Sequence, residues 1–134
     1  MVNSNNDILW IFSWPTPETI PSYVVGGIMP ADYLNIQKII FLENHDPKSF
    51  LLKFKPRLII INKALHSKVT LLAQEARDLN IKIISVFDDW HFSYNKLFFE
   101  YNEIKLFFEN NEIIANYSDA IVVKTATAAN LVKR

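Results

Sequence analysis

The chain has no cysteine. That excludes a disulfide framework and a thiolate site, and it fits a reducing compartment. Glycine is nearly as scarce: there are two, adjacent at Gly26 and Gly27. A lone Gly-Gly is not the GxGxxG fingerprint of a dinucleotide-binding turn. Net charge is missing too, because 14 basic and 14 acidic side chains cancel. No long-range field therefore draws the chain to nucleic acid or to an anionic bilayer, and no nucleic-acid partner is expected. No apolar run approaches the roughly 20 residues that a membrane-spanning helix needs. The start, MVNSNNDILW, carries no basic leader region and does not read as a signal peptide. A cytoplasmic chain is expected, with peripheral contact as the one membrane option left open.

What the chain does have is apolar residues, half of its 134 positions, enough for one domain with a sizeable core. They fall into short strand-like runs separated by helical patterns. Ile8–Phe12, Lys38–Leu42, Arg57–Ile61, Ile81–Phe87 and Ala120–Val123 read as five strands. Pro30–Leu34 opens as a helical turn with proline at its first position. Asp46 is placed to cap a short helix, Pro47–Phe54. Ser67 is placed to cap the next, in which Val69, Leu72, Ala73 and Ala76 form a stripe that Asn80 closes. Asn95–Tyr117 is helical with apolar residues on more than one face, and Asn110-Asn111 is a candidate break. A last helix is expected after Thr125. Alternation of this kind implies an α/β fold: a three-layer α/β/α sandwich around a five-stranded parallel Rossmann-like sheet, with order 3-2-1-4-5 expected.

The chain turns on Ile81–His91, IKIISVFDDWH. A strand that is apolar throughout stops at two aspartates, a tryptophan and a histidine. Parallel sheets hold their chemistry in loops at the carboxyl ends of strands. Asp88 and Asp89 suit the orientation of a hydroxyl group or general-base work; the alternative is that one caps the next turn and the other is solvated. His91 is a base candidate because imidazole titrates near neutrality; the alternative is a loop residue that only packs. Trp90 and Phe92, with Trp14, either stack on a sugar or lipid or lie as lids over the core. Gly26-Gly27 either lets backbone approach a ligand or forms a turn before Pro30. His45 and His66 lack ligand spacing and read as surface or cap residues, with no zinc site. Phe98, Phe99, Phe107 and Phe108 suit packing on another helix or a partner domain better than a bilayer. Their segment carries Lys96 and Lys105 against Glu100, Glu103, Glu109 and Glu112.

Three stretches together resemble the N-terminal domain of GT-B glycosyltransferases. Lys55–Ile61 (KPRLIII) is similar to that family's strand of the type kPDvvi. Ile83–Trp90 (IISVFDDW) looks like its strand ending in DlDD. Tyr117–Ala126 (YSDAIVVKTA) is similar to its aDaVvvvS strand and the helix after it, and Met29–Leu34 looks like the helix after its first loop. The resemblance implies that residues 1–134 are the acceptor-side half of a two-domain enzyme of cell-surface polysaccharide synthesis. Its partners would be a sugar or lipid-linked acceptor, and a nucleotide-sugar donor held by a C-terminal domain that this chain lacks. On that basis Asp89 and His91 are the catalytic candidates. Ser13, Trp14, Gly26, Gly27, Asp88 and Trp90 are the substrate-binding candidates. No metal and no cofactor is expected, and this half is expected to be inactive alone.

Two other readings share the alternation. A response-regulator receiver also carries an acidic pair and a late lysine, here matched by Asp88-Asp89 and Lys124. A receiver, however, needs acid after its first strand and an aspartate after its third. Here those positions hold Ser13-Trp14 and Asn62-Lys63. A non-catalytic Rossmann-like interaction module is the third reading.

Overall fold

The computed structural model describes residues 5–87 and 102–123. Strands β1 (Asn5–Phe12), β2 (Ile36–Ile40), β3 (Leu58–Asn62), β4 (Lys82–Phe87) and β5 (Ala120–Val123) form one sheet. All four neighbouring pairs are parallel. Helices α3 (Pro47–Phe54), α4 (Lys68–Asp78) and α5 (Asn102–Tyr117) join the later strands. The link from β1 to β2 is a run of short pieces. These are a 3₁₀ turn (Pro17–Thr19), α1 (Pro21–Tyr23), a π-helical turn (Val24–Ile28) and α2 (Met29–Tyr33). The α/β class and the five parallel strands expected from the alternation are what the structure has.

The alternation of side chains divides the core in two. Leu9, Ile11, Ile59, Ile61 and Ile83 face one way and pack on Leu51, Leu72, Ala73, Ala76 and Ile114 of α3, α4 and α5. Trp10, Phe12, Ile60 and Val86 face the other way and pack on Tyr23 and Ala31 of the β1–β2 link. Successive strand residues point to opposite faces, so a strand covered on both sides must be apolar at every position. That is why RLIII reads as an unbroken run. Each fully buried Ile or Leu contributes roughly 1.5–3 kcal/mol.

The strand order is β2-β1-β3-β4-β5. β1 is internal and borders β2, as in the expected 3-2-1-4-5. Its other neighbour is β3, where that order has β4. The α3 crossover carries the chain back over β1, so the chain reverses direction between its first and second crossovers. Right-handed crossovers in opposite directions place their helices on opposite faces, which accounts for the two cores. A 3-2-1-4-5-6 sheet without its outer third strand, renumbered, has this order, and so does a flavodoxin-like sheet. In both, the ligand crevice lies where the direction reverses, here at the carboxyl ends of β1 and β3.

Helix ends follow from the shortage of glycine. Asn35, Lys55 and Asn80 take left-handed backbone conformations with φ of 56°, 48° and 60°. These positions follow α2, α3 and α4, where glycine is the usual residue. Asparagine tolerates this conformation, whereas lysine does so at a cost. Lys55 is exposed, and its N–H closes α3 on the Leu51 carbonyl at 2.8 Å. Lys55→Gly is therefore expected to stabilise the fold by about 1 kcal/mol, read as a higher urea midpoint with an unchanged slope. At the other end of α3, Asp46 caps as expected, accepting from Ser49 N at 2.9 Å. That bond holds its carboxyl below the usual range.

Two expectations are corrected. Asn110-Asn111 does not break α5, which is continuous from Asn102 to Tyr117. Ser67 precedes α4 but makes no side-chain cap; its hydroxyl accepts instead from Asn110 Nδ2 at 3.3 Å.

Candidate functional site

At the switch point, β1 ends at Phe12 and β3 at Asn62. Ser13, just past β1, is 3% exposed. Its Oγ accepts from Leu65 N at 2.9 Å. Its single proton is shared between Tyr23 Oη at 3.0 Å and the Lys63 carbonyl at 3.2 Å. The Tyr23 hydroxyl donates to the same carbonyl at 2.8 Å. Lys63 Nζ lies over the Tyr23 ring, 5.4 Å from its centre. One serine and one tyrosine thus tie the end of β1, helix α1 and the loop after β3 into a single buried network.

A second tie comes from the opposite face. Asn111 of α5, 2% exposed, accepts from Ala64 N at 2.9 Å and donates to the Ala64 carbonyl at 3.2 Å. It also donates to Phe107 O at 2.8 Å. The loop after β3 is therefore held from both sides, as a site on a preorganised scaffold requires.

Gly27 is buried in the π-helical turn. No described glycine has positive φ, so close approach is the reason for glycine here. A methyl group at Gly27 would stand 2.6 Å from Phe12 Cε1 and 3.2 Å from Asn62 Oδ1. That Asn62 oxygen is buried and accepts no hydrogen bond among the described residues. An unpaired buried acceptor is costly, which makes its position at the switch point notable. Trp14 stands at the rim, 44% exposed.

Of the residues picked out by sequence, Ser13, Trp14, Gly26 and Gly27 come to this carboxyl edge. Ser13 is a structural tie with its hydroxyl fully engaged, Trp14 is open to solvent, and Gly27 packs on Phe12. The Gly-Gly pair lies within the π-helical segment that runs directly into α2 and not in a non-helical turn before Pro30. Asp88, Asp89, Trp90 and His91 lie outside the described residues, as do Phe92, Phe98 and Phe99. β4 runs parallel to β1 and β3 and reaches Phe87 at the same edge. Tyr23, Asn62 and Lys63 were not picked out. The signal was a polar pair directly after the plainest strand.

The histidines need one correction. His45 is a turn cap, its Nδ1 accepting from Leu42 N at 2.9 Å. His66 is not at the surface. It is 8% exposed, stacks on Phe41 with ring centres 5.7 Å apart, and meets the Phe41 carbonyl through Nε2 at 2.8 Å. Among the described residues, no three His, Asp or Glu side chains gather as a metal site would need. Among them too, no helix is long and apolar enough to cross a membrane.

Burial pushes the Tyr23 hydroxyl up from 10.0 to about 12, against the opposing hydrogen bonds with Ser13. The folded state thus favours the neutral phenol. Its contribution is whole below pH 10 and is lost as pH rises from 10 toward 12, about 2–3 kcal/mol in all. Urea midpoints measured from pH 8 to 11.5 are expected to fall steeply above pH 10. In Tyr23→Phe the midpoint is lower at pH 8, and that steep alkaline fall is reduced.

No protein-family model matches the chain, and a comparison with curated proteins finds no match either.

Proposed function

We propose that this domain is the acceptor-binding half of a glycosyltransferase, transferring a sugar from a nucleotide-sugar donor to a glycan or lipid-linked acceptor. The observation that carries the reading is the unpaired Asn62 oxygen beside Gly27 at the reversal point of a doubly wound sheet. A neutral acceptor group, a close-approach glycine and an exposed indole suit a hydroxyl-rich, uncharged ligand. Asn62 Oδ1, buried beside Gly27, would accept a hydrogen bond from a ligand hydroxyl that displaces its cover, and Trp14 offers an apolar face to a sugar ring. Ser13 and Tyr23 hold these groups in place. Asp89 and His91 remain the base candidates on sequence grounds. The nucleotide belongs to a second domain.

The test is a titration of the isotope-labelled chain with a panel of oligosaccharides and with uridine diphosphate. A saccharide is expected to shift the amides of Trp14, Gly27 and Asn62, and the nucleotide is expected to leave them in place. The reading fails if only the nucleotide shifts them, or if no saccharide does.

A receiver has the same strand order, so topology alone supports that alternative equally. The end of β3 counts against it. An acyl phosphate needs a carboxylate, and Asn62 offers an amide. Incubation with acetyl phosphate and Mg²⁺ is expected to leave the chain unphosphorylated.

A further inference from the structure

The Asn62 oxygen is closed off from solvent and accepts no hydrogen bond among the described residues. Against it lies the π-helical turn Val24–Ile28. A carbon added to Gly27 of that turn would stand 3.2 Å from Asn62 Oδ1 and 2.6 Å from the Phe12 ring. No room is left between them for a group as large as a methyl. The acceptor is thus held dry and unpaired, a cost that ends if the turn moves aside and the oxygen meets a donor. The turn has the build of a weak element. Its closing bond, from the Met29 N–H to the Val24 carbonyl, spans five residues where an α-helix spans four. Both of the chain's glycines lie in it, so its backbone rearranges at little steric cost. Its outward side chains, Val25 and Met29, are 61% and 59% exposed, so little packing holds it from outside. On the inner side Ile28 packs against the core of Trp10, Phe12 and Ile60. The flanks are anchored. Tyr23 before it is tied to the Lys63 carbonyl, and Ala31 after it is fully buried.

We propose that Val24–Ile28 is a movable cover, and that Asn62 floors a cryptic ligand subsite which opens when this turn swings outward between its two anchors. The ligand class rests on the sugar-binding reading, whereas the movement of the cover does not. A ligand hydroxyl donates to Asn62 Oδ1 in the open state alone, so binding selects that state. The apparent affinity is then the intrinsic affinity scaled by the open fraction. A change that loosens the cover without touching Asn62 therefore tightens binding even as it destabilises the fold. Local opening of this kind belongs to the least stable parts of a structure, from which the lids of binding sites are drawn.

The experiment follows amide hydrogen exchange in the full isotope-labelled chain without ligand, comparing Asn62→Leu with the parent. Leucine has nearly the shape of asparagine and no polar atom, so it removes the unpaired acceptor from the closed state. If opening exposes position 62, exchange at Met29, whose amide closes the turn, is expected to slow by about tenfold. Unchanged or faster exchange at Met29 overturns the proposal, even where the Ile60 amide of β3 slows, because position 62 would then meet water only on global unfolding. A second variant, Ile28→Val, trims the inner packing of the cover and leaves Asn62 intact. It is expected to speed exchange at Met29 and to tighten binding of the best oligosaccharide of the panel, each by about fivefold. Weaker or unchanged binding in Ile28→Val, where the parent binds, overturns the cover as a gate. If no oligosaccharide binds either form while Met29 slows in Asn62→Leu, the sugar-binding reading fails and the cover stands.

Discussion

Asn111→Asp is expected to be the most damaging of the polar changes, destabilising the fold by about 3–5 kcal/mol at pH 7. The side chain is nearly isosteric, so packing is retained and the effect is electrostatic. The native amide donates to the carbonyls of Ala64 and Phe107 and accepts from Ala64 N. A carboxylate keeps the acceptor role, loses both donors, and sets a buried charge against two carbonyl oxygens. Burial and that repulsion raise the pKa of the introduced group above its unfolded value. The destabilisation is therefore largest at neutral pH and shrinks as pH falls and the group takes up a proton, which restores one donor. Asn111→Leu removes the charge but leaves the Ala64 N–H and carbonyl unpaired, at a cost of about 2–3 kcal/mol without that pH dependence. Urea unfolding of both variants at pH 7 and pH 5 separates the two effects. Equal sensitivity to pH in both would mean that Asn111 acts only by filling space.

That same residue marks where the sequence ceased to be legible. Asn110-Asn111 reads as a helix break because asparagine has a low helix propensity. In the fold, their amides are turned to the loop after β3 and to Ser67, contacts more than 40 residues away in sequence. Local preference cannot reveal a partner that only tertiary structure supplies. The strands were legible for the opposite reason. Burial on both faces writes itself into consecutive apolar residues such as Leu58–Ile61, and Asp46 and Asn80 mark helix ends through local backbone chemistry. Strand order was less legible, since nothing in the periodicity of β2 or α3 says that the crossover returns across β1. The run from Pro17 to Tyr33 also misled. Gly26-Gly27 suggests a turn yet lies in helical backbone, and Pro17 and Pro21 sit at the first positions of short helical pieces, where no amide bond is lost. Tyr23 was invisible within that run because its hydroxyl answers to a backbone carbonyl across the site.

Gly27 supplies the other large effect, and it separates a packing requirement from a conformational one. Gly27→Ala is expected to destabilise by about 1–3 kcal/mol and Gly27→Val by more, as overpacking of a filled core does. An alanine in helical backbone would otherwise be worth roughly 0.5–1 kcal/mol in the opposite direction, so a measured loss isolates the clash. The obstacle is the Phe12 ring, with Cε1 and Cζ at 2.6 and 2.9 Å from the added carbon. That ring cannot swing away, since it is 1% exposed and lies edge-on to Tyr23 with centres 5.1 Å apart at 75°. Displacing it pushes on Tyr23, and through Tyr23 on the hydrogen bonds to Ser13 and Lys63 that hold the switch point. Phe12→Leu destabilises the fold alone but removes the ring carbons in question. The double variant Phe12→Leu/Gly27→Ala is therefore expected to be more stable than the sum of the single losses predicts, by about 1 kcal/mol or more. Strict additivity in that cycle would place the cost of Gly27→Ala at Asn62, the next nearest group at 3.2 Å. The saccharide titration discriminates further. If Gly27 serves the ligand as well as the core, the double variant regains stability and still fails to bind.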